Sequence, residues 1–194
     1  YGDKSLVNRD LSQPDTTPGS DPKNPSQYDY WDHVEYVVDA AADRGLTVGI
    51  LPFFVAFGPG WDYLSSDNAH DYGRFIGQRF GKKPNVIWIL GGDDRADTDI
   101  KRAVWDAVAK GITEAAVGSE DYSKVLMTYH SPGGTSSSLW LHNKPWLDFN
   151  MIQTWATYTS IHKRLTHDYH LTPVKPTGLG EGAYENGPEY PTKP

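Results

Sequence analysis

The sequence contains no cysteine, which excludes disulfide frameworks, thiolate metal sites and cysteine nucleophiles. It has no apolar run that approaches the roughly 18–20 residues of a membrane-spanning helix. Basic residues are scattered singly and the formal net charge is −7, which is unlike the clustered positive charge that binds a phosphate backbone. These absences predict a globular protein that binds neither nucleic acid nor a membrane.

The first 27 residues are rich in Pro, Asp, Ser and Gly and lack a regular apolar pattern, so we expect residues 1–27 to form an irregular loop or arm. They contain neither the basic stretch nor the apolar stretch of a secretory signal. The length of 194 residues predicts a single domain for residues 1–194.

Aromatic residues are abundant, with seven Trp and twelve Tyr. Their flat faces cover the apolar faces of sugars, while their N–H and O–H groups reach sugar hydroxyls. A carbohydrate ligand is one interpretation of this composition, and an ordinary aromatic core is the other.

Apolar runs alternate with amphipathic stretches along the chain. Strands are predicted at 47–54, 86–90, 125–129, 149–154 and 177–180, and helices at 30–44, 68–80, 98–116 and 160–169. This alternation is typical of an α/β fold with a parallel sheet. A complete (β/α)8 barrel runs to about 250 residues, so five units predict a partial (β/α)8 TIM barrel of about five parallel strands with intervening helices.

Polar or aromatic residues follow each predicted strand: Trp61, then Asp93, Asp94 and Arg95, then His130, then Gln153 and Trp155, then Glu181, Tyr184 and Glu185. Parallel strands end on the same rim, so we expect these side chains to converge. Glycoside cleavage needs one carboxyl group as proton donor and a second as nucleophile or base. Asp93 and Glu181 are therefore the predicted catalytic pair, although each is also suited to capping a helix.

The other residues of this rim are candidates for substrate binding. His130 and Gln153 are suited to sugar hydroxyls, and Trp61 with Trp155 to a flat platform under the sugar ring. Arg95 and Tyr184 are suited to holding one carboxyl group ionised, while Asp94 is a further polar contact. Glu185 shares the strand face of Glu181 by alternation, so it stays an alternative nucleophile.

Several segments in this order resemble the DUF4038 or apiosidase-like glycoside hydrolase domain, a (β/α)8 family. The resemblance runs from Tyr1 to about Gly187, and its most specific pieces are PNVIWILGGD and the Glu-X-X-Tyr-Glu pattern of 181–185. It implies that Asp93 is the acid/base, that Glu181 is the nucleophile, and that a polysaccharide side chain is cleaved with retention. It also implies a secreted or periplasmic location, no cofactor, and barrel strands supplied by the rest of a parent chain.

Two departures from the family pattern bear on the site. The pattern reads Gly-Gly-Asp-Arg, whereas here Asp94 precedes Arg95, so either Asp93 or Asp94 can face the sugar. The usual His-Pro-Gly reads His130-Ser131-Pro132 here, which shifts that loop by one residue.

Two other functions remain open. A metal-dependent hydrolase is one, because Asp93, Asp94, His130 and Glu181 are competent ligands, but no His-X-His or His-Glu-X-X-His spacing occurs and we expect no metal. The second is a non-catalytic carbohydrate-binding or inactive fragment, in which the rim binds glycans without turnover.

Overall fold

The computed structural model describes residues 4–55, 60–154 and 158–184. Residues 4–29 contain a 3-10 turn, Val7–Arg9, and an isolated antiparallel bridge between Leu6 and Pro14. Leu11 of this segment is buried, so the segment is anchored in the core although it is irregular.

The described residues form six α-helices and six β-strands, with at least one helix between most successive strands. The helices are α1 Tyr30–Ala42, α2 Gly60–Tyr63, α3 Ala69–Phe80, α4 Asp99–Val117, α5 Ser138–Leu141 and α6 Tyr158–Tyr169, and the strands are β1 Val48–Ile50, β2 Val86–Gly91, β3 Met127–His130, β4 Thr135–Ser136, β5 Asn150–Gln153 and β6 Thr177–Glu181. All five predicted strands and all four predicted helices are present. The short elements α2, β4 and α5 were not predicted.

Strand β1 is shorter than predicted. The apolar run at 47–54 predicts eight strand residues, whereas the structure has three, Val48–Ile50. Pro52 lies two residues beyond Ile50, and because proline has no N–H to donate, the hydrogen-bonded ladder does not continue through it. Residues 51–55, which follow β1, form no strand, and Phe54 lies against Gly92 beyond the end of β2.

The strands form two hydrogen-bonded sheets rather than one five-stranded sheet. One has the parallel order β1-β2-β3, and in the other β5 pairs with β6 in parallel and with β4 in antiparallel. Asp148 joins the two sheets, because its N–H donates to Met127 O at 2.9 Å and its Oδ2 accepts from Met127 N at 2.7 Å.

Helices α3 and α4 pack with their backbones in close approach. A Cβ on Gly73 would stand 2.4 Å from Val108 O, and one on Gly111 would stand 2.2 Å from His70 O. These glycines therefore permit a contact that any side chain would prevent. The apolar faces on either side, including Ile76 and Trp105, are buried. No helix among the described residues has the length and apolar character needed to cross a bilayer.

The turn after β2 explains why its apolar run ends on two glycines. Gly91, Gly92 and Asp93 all have positive φ, at 95°, 96° and 54°. A Cβ on Gly91 would stand 2.6 Å from His130 O, and Gly92 donates its N–H to the same oxygen at 3.1 Å. The left-handed turn thereby presses the end of β2 against the end of β3, which places Asp93 beside His130.

Candidate active site

Asp93 and Glu181 approach the same imidazole ring. Asp93 follows β2, His130 ends β3 and Glu181 ends β6. His130 Nδ1 lies 3.3 Å from Asp93 Oδ1, and His130 Nε2 lies 3.1 Å from Glu181 Oε2. The three strand ends that the sequence predicts to converge thus bring these three side chains together.

The cluster is compact and partly open to solvent. One ligand-type atom from each of Asp93, His130 and Glu181 lies within 4.8 Å of the other two. Their side chains are 28%, 12% and 19% exposed. Groups at this depth are accessible to a bound molecule and are screened less than groups on the open surface.

Gln153 adds a second donor to Glu181. It ends β5, its side chain is buried, and its Nε2 donates to Glu181 Oε2 at 2.9 Å. The backbone of the next residue is also engaged, since Thr154 N donates to Glu181 O at 2.8 Å. The predicted candidates His130 and Gln153 therefore both contact Glu181.

Asp94 faces away from this cluster. Its Oδ1 accepts from Trp61 Nε1 and from Lys101 Nζ, each at 3.1 Å. The hydroxyl of Tyr129 lies 3.2 Å from both Asp94 Oδ2 and Asp94 O. Burial, together with the Asp94 carboxylate, raises the pKa of Tyr129 well above its ordinary value, so this hydroxyl keeps its proton and donates.

Trp61 belongs to the same Asp94 network. Its ring packs edge to face on Trp105, with ring centroids 6.0 Å apart, and Lys101 Nζ lies 5.4 Å from its ring centroid. A ring held in this way anchors a buried carboxylate through its N–H. The open platform predicted for Trp61 is not evident in these contacts.

The remaining predicted residues are not brought to the cluster. Arg95 is exposed, and its backbone oxygen accepts a hydrogen bond from Lys101 Nζ at 3.0 Å. Tyr184 is 61% exposed. Trp155 and Glu185 lie outside the described residues.

Two residues of the site were missed by the sequence reasoning, Tyr129 and Lys101. Tyr129 directly precedes His130, and strand alternation turns its side chain to the opposite side, toward Asp94. Lys101 lies in the first turn of α4, after the N-cap Thr98. The sequence signal was present in the first case, since a tyrosine in a buried strand needs a partner for its hydroxyl.

Three polar atoms of the cluster lack an aligned partner. Asp93 Oδ1, His130 Nδ1 and Gln153 Oε1 are buried, and none has a hydrogen bond among the described residues. Since buried polar atoms are normally bonded, this concentration favours a bound ligand. The same three residues each offer one ligand atom within 4.8 Å of the other two, so a metal ion is a second candidate for this ligand.

A parallel-stranded α/β fold with two rim carboxylates defines a glycoside-hydrolase-like domain. The family model for the apiosidase-like catalytic domain matches residues 1–194, and the chain belongs to this family. The resemblance inferred from the sequence motifs is thereby confirmed. No curated protein sequence matches the chain.

Solved structures agree with this family. A glycoside hydrolase family 5 structure from Bacteroides vulgatus ATCC 8482 is 32% identical with a TM-score of 0.71, over 89% of this chain and 39% of that chain. A structure described as a glycoside hydrolase is 31% identical with a TM-score of 0.71, over 89% and 41%. The chain thus spans about two fifths of the length of these two relatives.

A more distant structure shows likeness of fold alone. The catalytic domain of Thermobifida fusca endoglucanase Cel5A is 15% identical with a TM-score of 0.50, over 80% of this chain and 52% of that chain. The α/β arrangement of parallel strands and helices is therefore shared with glycoside hydrolases of family 5.

Proposed function

We propose that this domain cleaves a glycosidic bond in an oligosaccharide or polysaccharide by a retaining mechanism that uses two carboxyl groups. Asp93 is the acid/base and Glu181 is the nucleophile. The observation that carries the proposal is the approach of the two carboxylates, with one oxygen of each within 4.8 Å across His130.

The distance favours retention over inversion. Retaining glycosidases hold their carboxyl groups about 5–5.5 Å apart, whereas inverting enzymes need roughly 6.5–9.5 Å to admit a water molecule. A separation within 4.8 Å between one oxygen of each carboxyl group lies on the retaining side of these ranges. Glu181 is then close enough to attack the sugar directly.

The reaction has two steps. Asp93 gives a proton to the departing oxygen while Glu181 attacks the anomeric carbon, so that a covalent glycosyl-enzyme forms. Asp93, now ionised, takes a proton from a water molecule that attacks the same carbon and releases Glu181. Two inversions at one carbon retain its configuration.

The same geometry supports Asp93 rather than Asp94 as the acid/base. Asp94 is buried and accepts hydrogen bonds from Trp61, Lys101 and Tyr129, so its oxygens are engaged. His130 and Gln153 are proposed to face the bound sugar as well as Glu181. Substrate contact by Arg95, Tyr184, Trp155 and Glu185 remains a proposal from the sequence.

The five parallel strands, β1, β2, β3, β5 and β6, are proposed to be part of an eight-stranded barrel. The chain spans 39% and 41% of the two similar glycoside hydrolase structures, and a barrel of this kind needs eight parallel strands. Remaining strands supplied by the rest of a parent chain would cover the edges of β1 and β6 that pair with no strand among the described residues. The activity of the whole protein, and its carbohydrate partner, are proposals on the same basis.

The test is an activity screen of the intact protein against a panel of aryl glycosides. Turnover should be lost in Asp93→Asn and Glu181→Gln and kept in Asp71→Asn and Glu120→Gln, which are matched controls outside the cluster. Proton NMR of the first product should show the anomeric configuration of the substrate. An inverted product would exclude the retaining mechanism, and activity that a chelator abolishes would favour a metal-dependent hydrolase.

A further inference from the structure

The two nitrogens of His130 face different carboxylates, and each has one nearest carboxylate oxygen. Its Nδ1 lies 3.3 Å from Oδ1 of Asp93 and its Nε2 lies 3.1 Å from Oε2 of Glu181. Only the Nε2 contact has hydrogen-bond geometry, so Nε2 is the ring nitrogen aligned to donate. We call the oxygen that is turned toward His130 the inner oxygen of each carboxylate. It is Oδ1 in Asp93 and Oε2 in Glu181, and the other oxygen of each group is the outer one.

The other oxygen of each carboxylate is open. Asp93 Oδ1, the oxygen nearest His130, is buried and has no aligned hydrogen-bond partner. The two outer oxygens, Asp93 Oδ2 and Glu181 Oε1, are not buried in this way. Neither of these outer oxygens has a hydrogen bond with a described residue. Both are therefore reached by solvent and are able to meet a bound molecule.

Gln153 increases the difference between the two carboxylate oxygens of Glu181. Its Nε2 donates to Oε2 at 2.9 Å, the same oxygen that His130 contacts. Two donors on one oxygen fix the rotation of the carboxylate and stabilise negative charge on that oxygen. The lone pairs of Oε1 are therefore free, and the orientation of Oε1 is fixed by the rotation of the carboxylate.

We propose that His130 and Gln153 are positioning residues that assign different tasks to the two oxygens of each carboxylate. Oε1 of Glu181 is the atom that attacks the anomeric carbon, and Oδ2 of Asp93 is the atom that exchanges the proton. The proposal rests on the proposed function. In the first step the Oε1 to carbon bond forms, the bond to the leaving oxygen breaks and the Oδ2 proton moves to that oxygen. In the second, water replaces Oε1 on the carbon and returns a proton to Oδ2.

The kinetic test uses Gln153→Met, which keeps the side-chain length and removes the N–H donors. It should lower kcat by about tenfold or more, because the lost bond is charge-assisted and acts on the nucleophile, whereas loss of a sugar contact alone would raise KM and leave kcat nearly unchanged. The loss should be equal for dinitrophenyl and phenyl glycosides, since the proton donor is untouched. Gln78→Met on the exposed face of α3 is the control.

A conservative variant separates positioning from packing. In Gln153→Glu the new carboxyl group can donate to Oε2 only while it is protonated and repels it when ionised. Activity should therefore be displaced toward lower pH than in the wild type. A purely structural role of Gln153 would lower activity at every pH without displacing the profile.

A second measurement does not depend on turnover. In protein labelled with ¹⁵N-histidine, Asp93→Asn should shift the Nδ1 resonance of His130, and Glu181→Gln should shift the Nε2 resonance, while Asp71→Asn shifts neither. If neither ring resonance moves, or if Gln153→Met retains wild-type kcat, the proposal is overturned. Shifted resonances in a protein that cleaves no aryl glycoside would instead overturn the proposed function and keep the contacts of His130.

Discussion

Gly92 lies against Phe54 so closely that a Cβ on Gly92 would stand 2.7 Å from the Cα of Phe54. Gly92 also has a φ of 96°, which side chains rarely permit. Two independent constraints therefore require glycine at the position directly before Asp93. The position of the proposed acid/base depends on this contact between the β2 turn and the loop after β1.

Replacement of Gly92 by alanine should destabilise the protein and displace Asp93. We expect Gly92→Ala to lower the free energy of unfolding by at least about 2 kcal/mol, from backbone strain together with the clash. Gly118→Ala is the control, because Gly118 has a φ of 80° but nothing within 4 Å of its added Cβ, and it should cost about 1 kcal/mol. Urea unfolding measures both, and equal losses would show that the contact with Phe54 is unimportant.

The sequence predicted the order of the elements well because each rests on local signals. Apolar runs mark the strands, and the face formed by Tyr72, Ile76 and Phe80 marks α3, where all three are buried. The short strand β4 was missed, because two residues carry no measurable periodicity. The length of β1 was overestimated, since the run at 47–54 continues through Pro52 although the ladder does not.

The candidate site could be predicted only in part. Parallel strands bring Asp93, His130 and Glu181 to one rim, and this follows from the order of the strands. The choice between Asp93 and Asp94 could not be made, because it depends on a left-handed turn and on donors from α2, β3 and α4. These contacts join residues that are distant in the chain and have no signature in the local sequence.

Asp93 and Asp94 should respond in opposite ways to the same change. Asp93→Asn should lower activity about 10²–10⁴-fold, as expected for an acid/base, and change stability by less than about 0.5 kcal/mol. Asp94→Asn should cost about 1–3 kcal/mol of stability, because Lys101 loses a charged partner in a buried network. Aryl glycoside kinetics and urea unfolding of each variant are the measurements. Loss of activity only in Asp94→Asn would reassign the acid/base.

The N-terminus of α1 should depend strongly on Asp29. Its side chain accepts from Trp31 N at 2.7 Å, from Asp32 N at 3.0 Å and from Thr17 N at 2.7 Å. Asp29→Ala should therefore cost about 1–2 kcal/mol. The N-cap Thr98 accepts from one backbone donor, Lys101 N, so Thr98→Ala should cost less. Thermal unfolding midpoints show which variant loses more stability. A larger loss in Thr98→Ala than in Asp29→Ala would contradict the expected difference between the two N-caps.

Asp148, which joins the two sheets, should make stability depend on pH. Burial raises the pKa of Asp148 above its ordinary value of 3.8, and this outweighs the opposing effects of the Met127 N–H and Lys175. Ionisation is therefore harder in the folded state than in the unfolded state. The stability that the protonated carboxyl group contributes is full below the ordinary pKa, and it is lost as the pH rises through the raised pKa.

Asp148→Asn removes this titration and keeps an acceptor for Met127 N. The variant should gain stability relative to the wild type as the pH rises from about 3 to about 7, because only the wild type then carries the partly buried charge. Thermal unfolding midpoints of the two proteins across this range measure the gain, with the exposed Asp67→Asn as the control. A difference in unfolding midpoint between Asp148→Asn and the wild type that stays constant with pH, or that shrinks as the pH rises, would contradict the prediction. It would mean that Lys175 compensates fully for the burial of Asp148. The junction between β3 and β5 would then be held by a balanced ion pair.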